Sequence, residues 1–260
     1  IIEGTDAIFL CLPTPPNVDG SSDLSYYFKA VDYLCALLAK RADTRRVVLI
    51  NKSTVPIGTA RQLERKLREY NVPNAGVASN PEFLPEGDAV EKSRRPDRVV
   101  VGADTEDDFR IIRRIYSQFV NHVRIRYIET TPETAEGIKY VANTLLLTYI
   151  SFWNGVGARL GDTFGNIRME DLKRGVTADN RISTWGSYVS NGAGGSCFGK
   201  DIQSLIYQLK TSGQPTDMLQ SVYSINEYQK TYLIDRAIRE AGARFNQKKV
   251  ALLGLAFKQR

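Results

Sequence analysis

Apolar residues follow two rhythms along this chain. Short unbroken runs (AIFLCL after Asp6, VVLIN from Val47, GVAS from Gly76 and RVVVG from Arg98) have the length and β-branched content of buried strands. Between them the spacing is helical: Val31, Leu34, Cys35 and Leu38 share a face within residues 24–38, and a second helix runs through Tyr70. Asp104 is placed to cap a helix that reaches about Phe119, and residues 123–128 read as a last strand. Strands alternating with helices predict an α/β domain over residues 1–131, with a mostly parallel sheet and helices on both faces.

The rhythm then changes. Thr131 is an N-cap candidate with Pro132 at the first helical position, and residues 132–161 carry no further proline. A helix of about 30 residues, roughly 45 Å long, is predicted there. It is apolar on most sides, as helices buried between domains or subunits are. Residues 132–245 therefore read as a helical central domain. Residues 249–258 read as a further strand and loop, so residues 246–260 look like the opening of another α/β unit whose remainder is missing.

Within the helical half lies NGAGGSCFGKD, from Asn191 to Asp201. Clustered glycines mark backbone that bends sharply or approaches another group closely. Ile202, Leu205, Ile206 and Leu209 continue at helical spacing, which puts Cys197 just before a helix N-terminus. Free N–H groups and the helix dipole favour a thiolate at such a place, and Lys200 adds a nearby positive charge.

Composition narrows the class. Of 260 residues, 42% are hydrophobic and 25% charged, as in ordinary globular domains, and no stretch approaches the roughly 20 apolar residues of a membrane span. The net charge of +6 is scattered along the chain with no aromatic-basic stripe for nucleic acid; it also suits a small polyanion such as a nucleotide sugar, and charge alone discriminates weakly between them. Three distant cysteines, Cys11, Cys35 and Cys197, fit a reducing, cytoplasmic setting. One histidine, His122, rules out a histidine-rich metal site, and no metal is expected. No G-x-G-x-x-G follows a strand.

Ligands of open α/β sheets bind beyond the carboxyl ends of strands. Three such ends carry unusual residues: Pro13-Thr14-Pro15, Ser53-Thr54-Val55-Pro56 and the segment from Asn80 to Gly87. Lys139 and Asn143 stand one turn apart on the long helix, a polar pair on a mostly apolar element. Together with DGSSDLS from Asp19, PDRVVVG from Pro96, Asp179-Asn-Arg181-Ile182, GGSCFGKD from Gly194 and GLAFK from Gly254, these stretches resemble the UDP-glucose dehydrogenase family. That family lies within the wider group of UDP-glucose and GDP-mannose dehydrogenases. The motifs occur in the family's order over nearly the whole chain.

The resemblance implies part of a Rossmann-like NAD-binding domain followed by a dimerisation domain. It also implies NAD-dependent, four-electron oxidation of UDP-glucose to UDP-glucuronate through a cysteine adduct. By the same resemblance Cys197 is the nucleophile, Lys139 and Asn143 stabilise the alkoxide, Asp201 and Thr54 hold a water, and Glu82 is the base for hydrolysis. Pro13, Thr14, Pro15, Ser53, Thr54, Glu86 and Lys200 would face the cofactor. Phe83, Leu84, Lys139, Asn143, Arg181, Gly192, Gly194, Phe198, Phe257 and Lys258 would face the nucleotide sugar, Arg181 from a partner subunit of a homodimer. Ala193, Gly199 and Ser190 depart from the family's usual residues. GDP-mannose or a UDP-acetamido sugar is the alternative substrate. A dimerising module without catalysis, or a thioester-forming transferase without NAD, is the rival reading. The expected start of the NAD-binding domain and most of a nucleotide-sugar domain are not found in the sequence, so the chain reads as a fragment or as a form that has lost function.

Overall fold

The computed structural model describes residues 2–85, 87–251 and 253. Five strands form one sheet in the order β1 (Ala7–Leu10), β2 (Val47–Asn51), β3 (Ala75–Ser79), β4 (Arg98–Gly102) and β5 (Arg126–Thr130). β2 explains much of the packing. All five of its residues are buried, and the two-residue period divides them between the faces of the sheet. Val47 and Leu49 join Tyr27, Val31, Cys35 and Leu38 of α1 (Ser25–Leu38) and Ala60, Leu63 and Leu67 of α2 (Thr59–Glu69). Val48 and Ile50 pack instead with Val99, Val101, Ile112 and Phe119. Each such side chain contributes about 1.5–3 kcal/mol on burial, so β2 anchors both layers.

The sheet is not parallel throughout. β1, β2 and β3 run parallel, as do β4 and β5, but β3 meets β4 antiparallel with Ser79 opposite Gly102. A parallel connection needs a crossover packed on the sheet face. The helix between these strands, α3 (Ala89–Arg94), has six residues and buries none of them.

Two boundaries also differ from expectation. The chain turns at His122, whose carbonyl accepts from Ile125 N–H at 3.0 Å, so the last strand begins at Arg126 rather than at residue 123. The cap of α4 (Glu106–Ile115) is Thr105, not Asp104: the Thr105 hydroxyl accepts from Asp108 N–H at 3.2 Å. Asp104 instead pairs with Arg61, which also holds Glu133 at 2.6 Å. A four-residue turn of helix, α5 (Ser117–Val120), completes that segment. The Asp108 carboxylate, nearly inaccessible, takes two bonds from Arg46 at 2.6 and 2.7 Å. A Cβ on Gly76 of β3 would overlap that carboxylate, which explains the glycine.

Thr131 accepts from Thr134 N–H at 3.3 Å and starts α6 (Pro132–Phe152) as its N-cap. The helical path continues to Thr163, but not as one α-helix. A π turn covers Trp153–Gly157 before α7 (Ala158–Thr163). Such a turn inserts one residue and rotates the faces that follow. Glycines fit it closely: a Cβ on Gly155 would lie 3.2 Å from Ile225, and one on Gly157 would lie 3.1 Å from Met169.

The chain divides into two compact units, Ile1–Val141 and Ala142–Arg260, the division falling inside α6. The second unit adds α8 (Met169–Val176), α9 (Cys197–Thr211), α10 (Asp217–Gln229) and α11 (Tyr232–Ala241); Ile202 of α9 and Val222 of α10 form its core with Leu147 of α6. Lys249, Val250, Ala251 and Leu253 form no strand; the remainder of the strand expected at 249–258 lies outside the described residues.

Candidate active site

In the first unit the carboxyl ends of β1, β2 and β3 and the start of α6 carry the expected residues. Two side chains fasten the first two loops together. The Ser53 hydroxyl accepts from Leu12 N–H and donates to Leu12 O, both at 2.7 Å, and the Thr14 hydroxyl donates to Thr54 O at 2.8 Å. Thr14 is buried between the exposed Pro13 and Pro15, so the hydroxyl serves as a peg and the prolines form an exposed rim.

Beyond β3, Asn80 is fully buried and binds three ways. Its Nδ2 donates to Val100 O at 2.7 Å, while its Oδ1 accepts from Lys52 Nζ at 3.2 Å and Tyr116 Oη at 2.5 Å. Burial pushes the Tyr116 phenol up to about 12. Glu82 approaches Lys52 to 3.6 Å. Burial lowers the pKa of Lys52, against the opposite pull of Glu82. Phe83 is covered by the Arg98 guanidinium at 4.0 Å and faces the Lys139 ammonium at 5.6 Å. Leu84 and Glu82 line one cleft with Lys52, Tyr116 and Arg98.

A second, smaller cleft is lined by Asn51, Ser53, Thr54, Ser79, Glu136 and Lys139. Glu136, one turn before Lys139, is 4% exposed. Its carboxylate accepts from Gly58 N–H at 2.6 Å, Ala60 N–H at 3.0 Å and the Ser79 hydroxyl at 3.0 Å. Gly58 is the N-cap of α2, with φ +93° and no side chain of its own, so α6 supplies the cap that α2 lacks. Burial raises the pKa of Glu136, and the three donors pull the other way. Asn51, 1% exposed, leaves both amide atoms without a protein partner beside this cleft.

In the second unit Asn143 Nδ2 donates to Asp201 Oδ2 at 2.6 Å, and Lys200 Nζ donates to Asp201 Oδ1 at 2.6 Å. Both Asn143 and Asp201 are buried. Lys200, expected to add a positive charge near Cys197, has its ammonium paired with the neighbouring carboxylate. Cys197 is the first residue of α9 rather than the residue before it, is exposed, and has Sγ 3.8 Å from the Ser196 hydroxyl. Phe198 packs against the Leu147, Ile202 and Val222 core, and Gly194 is exposed. Arg181 is held by Asp179 at 2.6 Å on an exposed loop. Glu86, Phe257 and Lys258 lie outside the described residues.

Glu136, which stands in the motif of Lys139 and Asn143, had no expected role, and neither had three buried amides, Asn154, Asn226 and Gln229. Asn154 Oδ1 accepts from Ser190 N–H at 2.8 Å, Gln229 Nε2 donates to Ser190 O at 2.6 Å, and Asn226 Oδ1 accepts from Ala193 N–H at 2.7 Å. The available signal was polar residues at apolar positions of helices: Asn226 follows Val222 by one turn, and Gln229 follows Asn226 by three residues.

Residues 1–120 match a family model described as UDP-glucose/GDP-mannose dehydrogenase family, NAD binding domain. Residues 133–228 match that family's central domain. A protein named UDP-glucose 6-dehydrogenase from Pseudomonas aeruginosa is 37% identical over 262 residues, covering 97% of this chain and 55% of its own length. One of the same name from Rhizobium meliloti is 34% identical, covering 99% and 58%. The solved UDP-glucose dehydrogenase from Pyrobaculum islandicum superposes with a TM-score of 0.81 at 33% identity, over 92% of this chain and 54% of that one. The chain thus spans just over half the length of the curated relatives it matches.

Proposed function

The chain belongs to the UDP-glucose/GDP-mannose dehydrogenase family, and from that membership we propose that its residues serve the NAD-dependent oxidation of UDP-glucose to UDP-glucuronate. The observation that carries this reading is an exposed Cys197 at the first position of α9, one turn before the buried Asn143–Asp201–Lys200 cluster.

NAD, when bound, supplies the hydride acceptor. The residues present fit such a cofactor: the β1 and β2 loops are pegged together at strand carboxyl ends, next to the unpaired buried amide of Asn51. Pro13, Thr14, Pro15, Ser53 and Thr54 would hold it from this side, with Glu86 and Lys200 as further contacts.

Cys197 acts as the nucleophile. Its thiolate adds to the aldehyde carbon, forming a C–S bond while the carbonyl oxygen takes the charge. The Lys139 ammonium and the second Asn143 N–H stabilise that oxyanion. After the second oxidation a thioester remains. Glu82 takes a proton from the water that attacks it; Thr54 and Asp201 orient water; and the C–S bond breaks to release the acid and the thiol. Phe83, Leu84, Gly192, Gly194, Phe198, Arg181, Phe257 and Lys258 line the nucleotide-sugar side.

A homodimer belongs to this proposal. Leu145 (61% exposed), Phe152 (56%) and Val156 (43%) mark an apolar stripe that a second copy would cover. Among the described residues no helix is long and apolar enough to cross a membrane, and the three cysteines are unbridged, which suits the cytoplasm.

The test is mass spectrometry of the whole protein mixed with UDP-glucose and NAD. Glu82→Gln should accumulate an acyl group on the Cys197 peptide, and Cys197→Ser should block formation of the acid while Cys11→Ser does not. GDP-mannose or a UDP-acetamido sugar giving the larger adduct would reassign the substrate. Near-normal acid formation by Cys197→Ser would sink the covalent route.

A further inference from the structure

The glycine-rich segment is tied down at two residues before it reaches Cys197. Ser190 has its N–H on Asn154 Oδ1 (2.8 Å) and its carbonyl on Gln229 Nε2 (2.6 Å). Ala193 has its N–H on Asn226 Oδ1 (2.7 Å) and its carbonyl on Asn226 Nδ2 (3.4 Å). All four backbone polar groups thus meet side-chain amides, and those three side chains are at most 2% exposed. A buried amide without its partner is costly, so this arrangement admits one register of the loop.

Local geometry agrees. Gly192, between the two anchors, has φ +87°, and a Cβ there would lie 3.0–3.1 Å from Asn226. Glycine lets the backbone lie directly on that amide. The π turn at Trp153–Gly157 contains Asn154, so the change of helical phase is what turns this amide toward Ser190. Gln229 is steadied in turn by Arg159 at 3.5 Å, whose guanidinium lies 4.9 Å from the Tyr228 ring and 4.6 Å from the Tyr232 ring.

Three residues, Gly194, Gly195 and Ser196, separate the second anchor from Cys197. Ala193 before them and Phe198 after them pack on the same core of Leu147, Ile202 and Val222. Both ends of this short bridge are therefore fixed.

We propose that Asn154, Asn226 and Gln229 are positioning residues for Cys197: they clamp Ser190 and Ala193 so that the bridge delivers the thiol to the first position of α9. The proposal rests on the reading of Cys197 as the reacting group, but its test measures the thiol directly, without turnover. Asn226→Leu and Gln229→Met remove hydrogen bonds at different anchors with little change in volume. Alkylation by iodoacetamide is followed by mass spectrometry at Cys197 and, in the same molecule, at the exposed Cys11. Once the clamp is lost, the first turn of α9 frays and its N–H groups no longer face the sulfur as it attacks the reagent. The Cys197 rate should fall about threefold or more, with the Cys11 rate unchanged. In Asn226→Leu the Ala193 amide should also lose protection from hydrogen exchange. Loosening of the second unit as a whole would only open the Cys197 thiol further to the reagent and raise its rate, so a fall separates positioning from a merely structural loss. If Asn226→Leu fails to melt cooperatively, Gln229→Met decides the matter. A Cys197 rate that stays the same, rises, or moves in step with Cys11 overturns the proposal.

Discussion

Replacing Asn143 by Ala tests the buried cluster of the second unit. Asp201 is 1% exposed and receives two hydrogen bonds, from Asn143 and from Lys200, each 2.6 Å long. Removing the amide leaves one buried carboxylate oxygen without a donor, and a hydrogen bond to a charged group contributes about 1.5–3 kcal/mol. Lys200 remains, so the loss stays below the roughly 3–5 kcal/mol of a fully stranded buried charge. We therefore expect a destabilisation of about 2 kcal/mol. The chain has two tryptophans, Trp153 and Trp185, both in the second unit, so tryptophan fluorescence during guanidinium denaturation reports on that unit alone. In the Asp201→Asn background the same substitution should cost less by about 1 kcal/mol or more, because the charged acceptor is gone. A single-variant loss under about 0.5 kcal/mol, with no coupling to Asp201, would show that Asn143 is not what holds the carboxylate.

Two further outcomes follow from the first unit. Gly76→Ala should destabilise it by about 3 kcal/mol or more, since the new methyl displaces the Asp108 carboxylate from Arg46; circular dichroism melts within about 2 °C of wild type would contradict the overlap. For Glu136, folding raises the pKa, so its contribution is fully present below the unfolded value and is lost as pH rises through the folded one. The stability of wild type relative to Glu136→Gln should therefore decline as pH rises above about 4, and a difference that is flat or grows with pH would reverse the sign of the burial effect.

Much of the first unit could be read from its pattern because burial there follows period. VVLIN reads as a strand since all its residues face apolar layers, and the α1 stripe of Val31, Cys35 and Leu38 is the stripe that packs. The caps were half legible. Thr131 carries its signature, whereas Asp104 and Thr105 are both capping residues and only the position of Arg61 decides between them. Tertiary geometry hid the rest. Nothing local in residues 80–97 says that β4 will meet β3 antiparallel, and a π turn differs from α-helix by one residue of phase. The motifs single out candidate residues, Cys197, Lys139 and Asn143 among them, and the roles given to these belong to the proposal. The contacts of Glu136, Asn154, Asn226 and Gln229 had no such signal, because they act across long sequence separations, on backbone groups that every residue possesses. The Lys200–Asp201 pair was likewise not legible, because adjacency in sequence does not show which neighbour an ammonium meets.

The start of α2 behaves as a receptor that is permanently filled. Exposed N–H groups at a helix beginning with glycine, just after a strand, are the usual berth for a phosphate. Here Glu136 from α6 occupies that berth and satisfies Gly58 and Ala60 as an anion would. A nucleotide's phosphates would have to evict a carboxylate held by three donors, so selection of the ligand's binding mode begins with a place it is denied. The same carboxylate fastens two helices far apart in sequence, which makes the protein's own side chain both tenant and rivet.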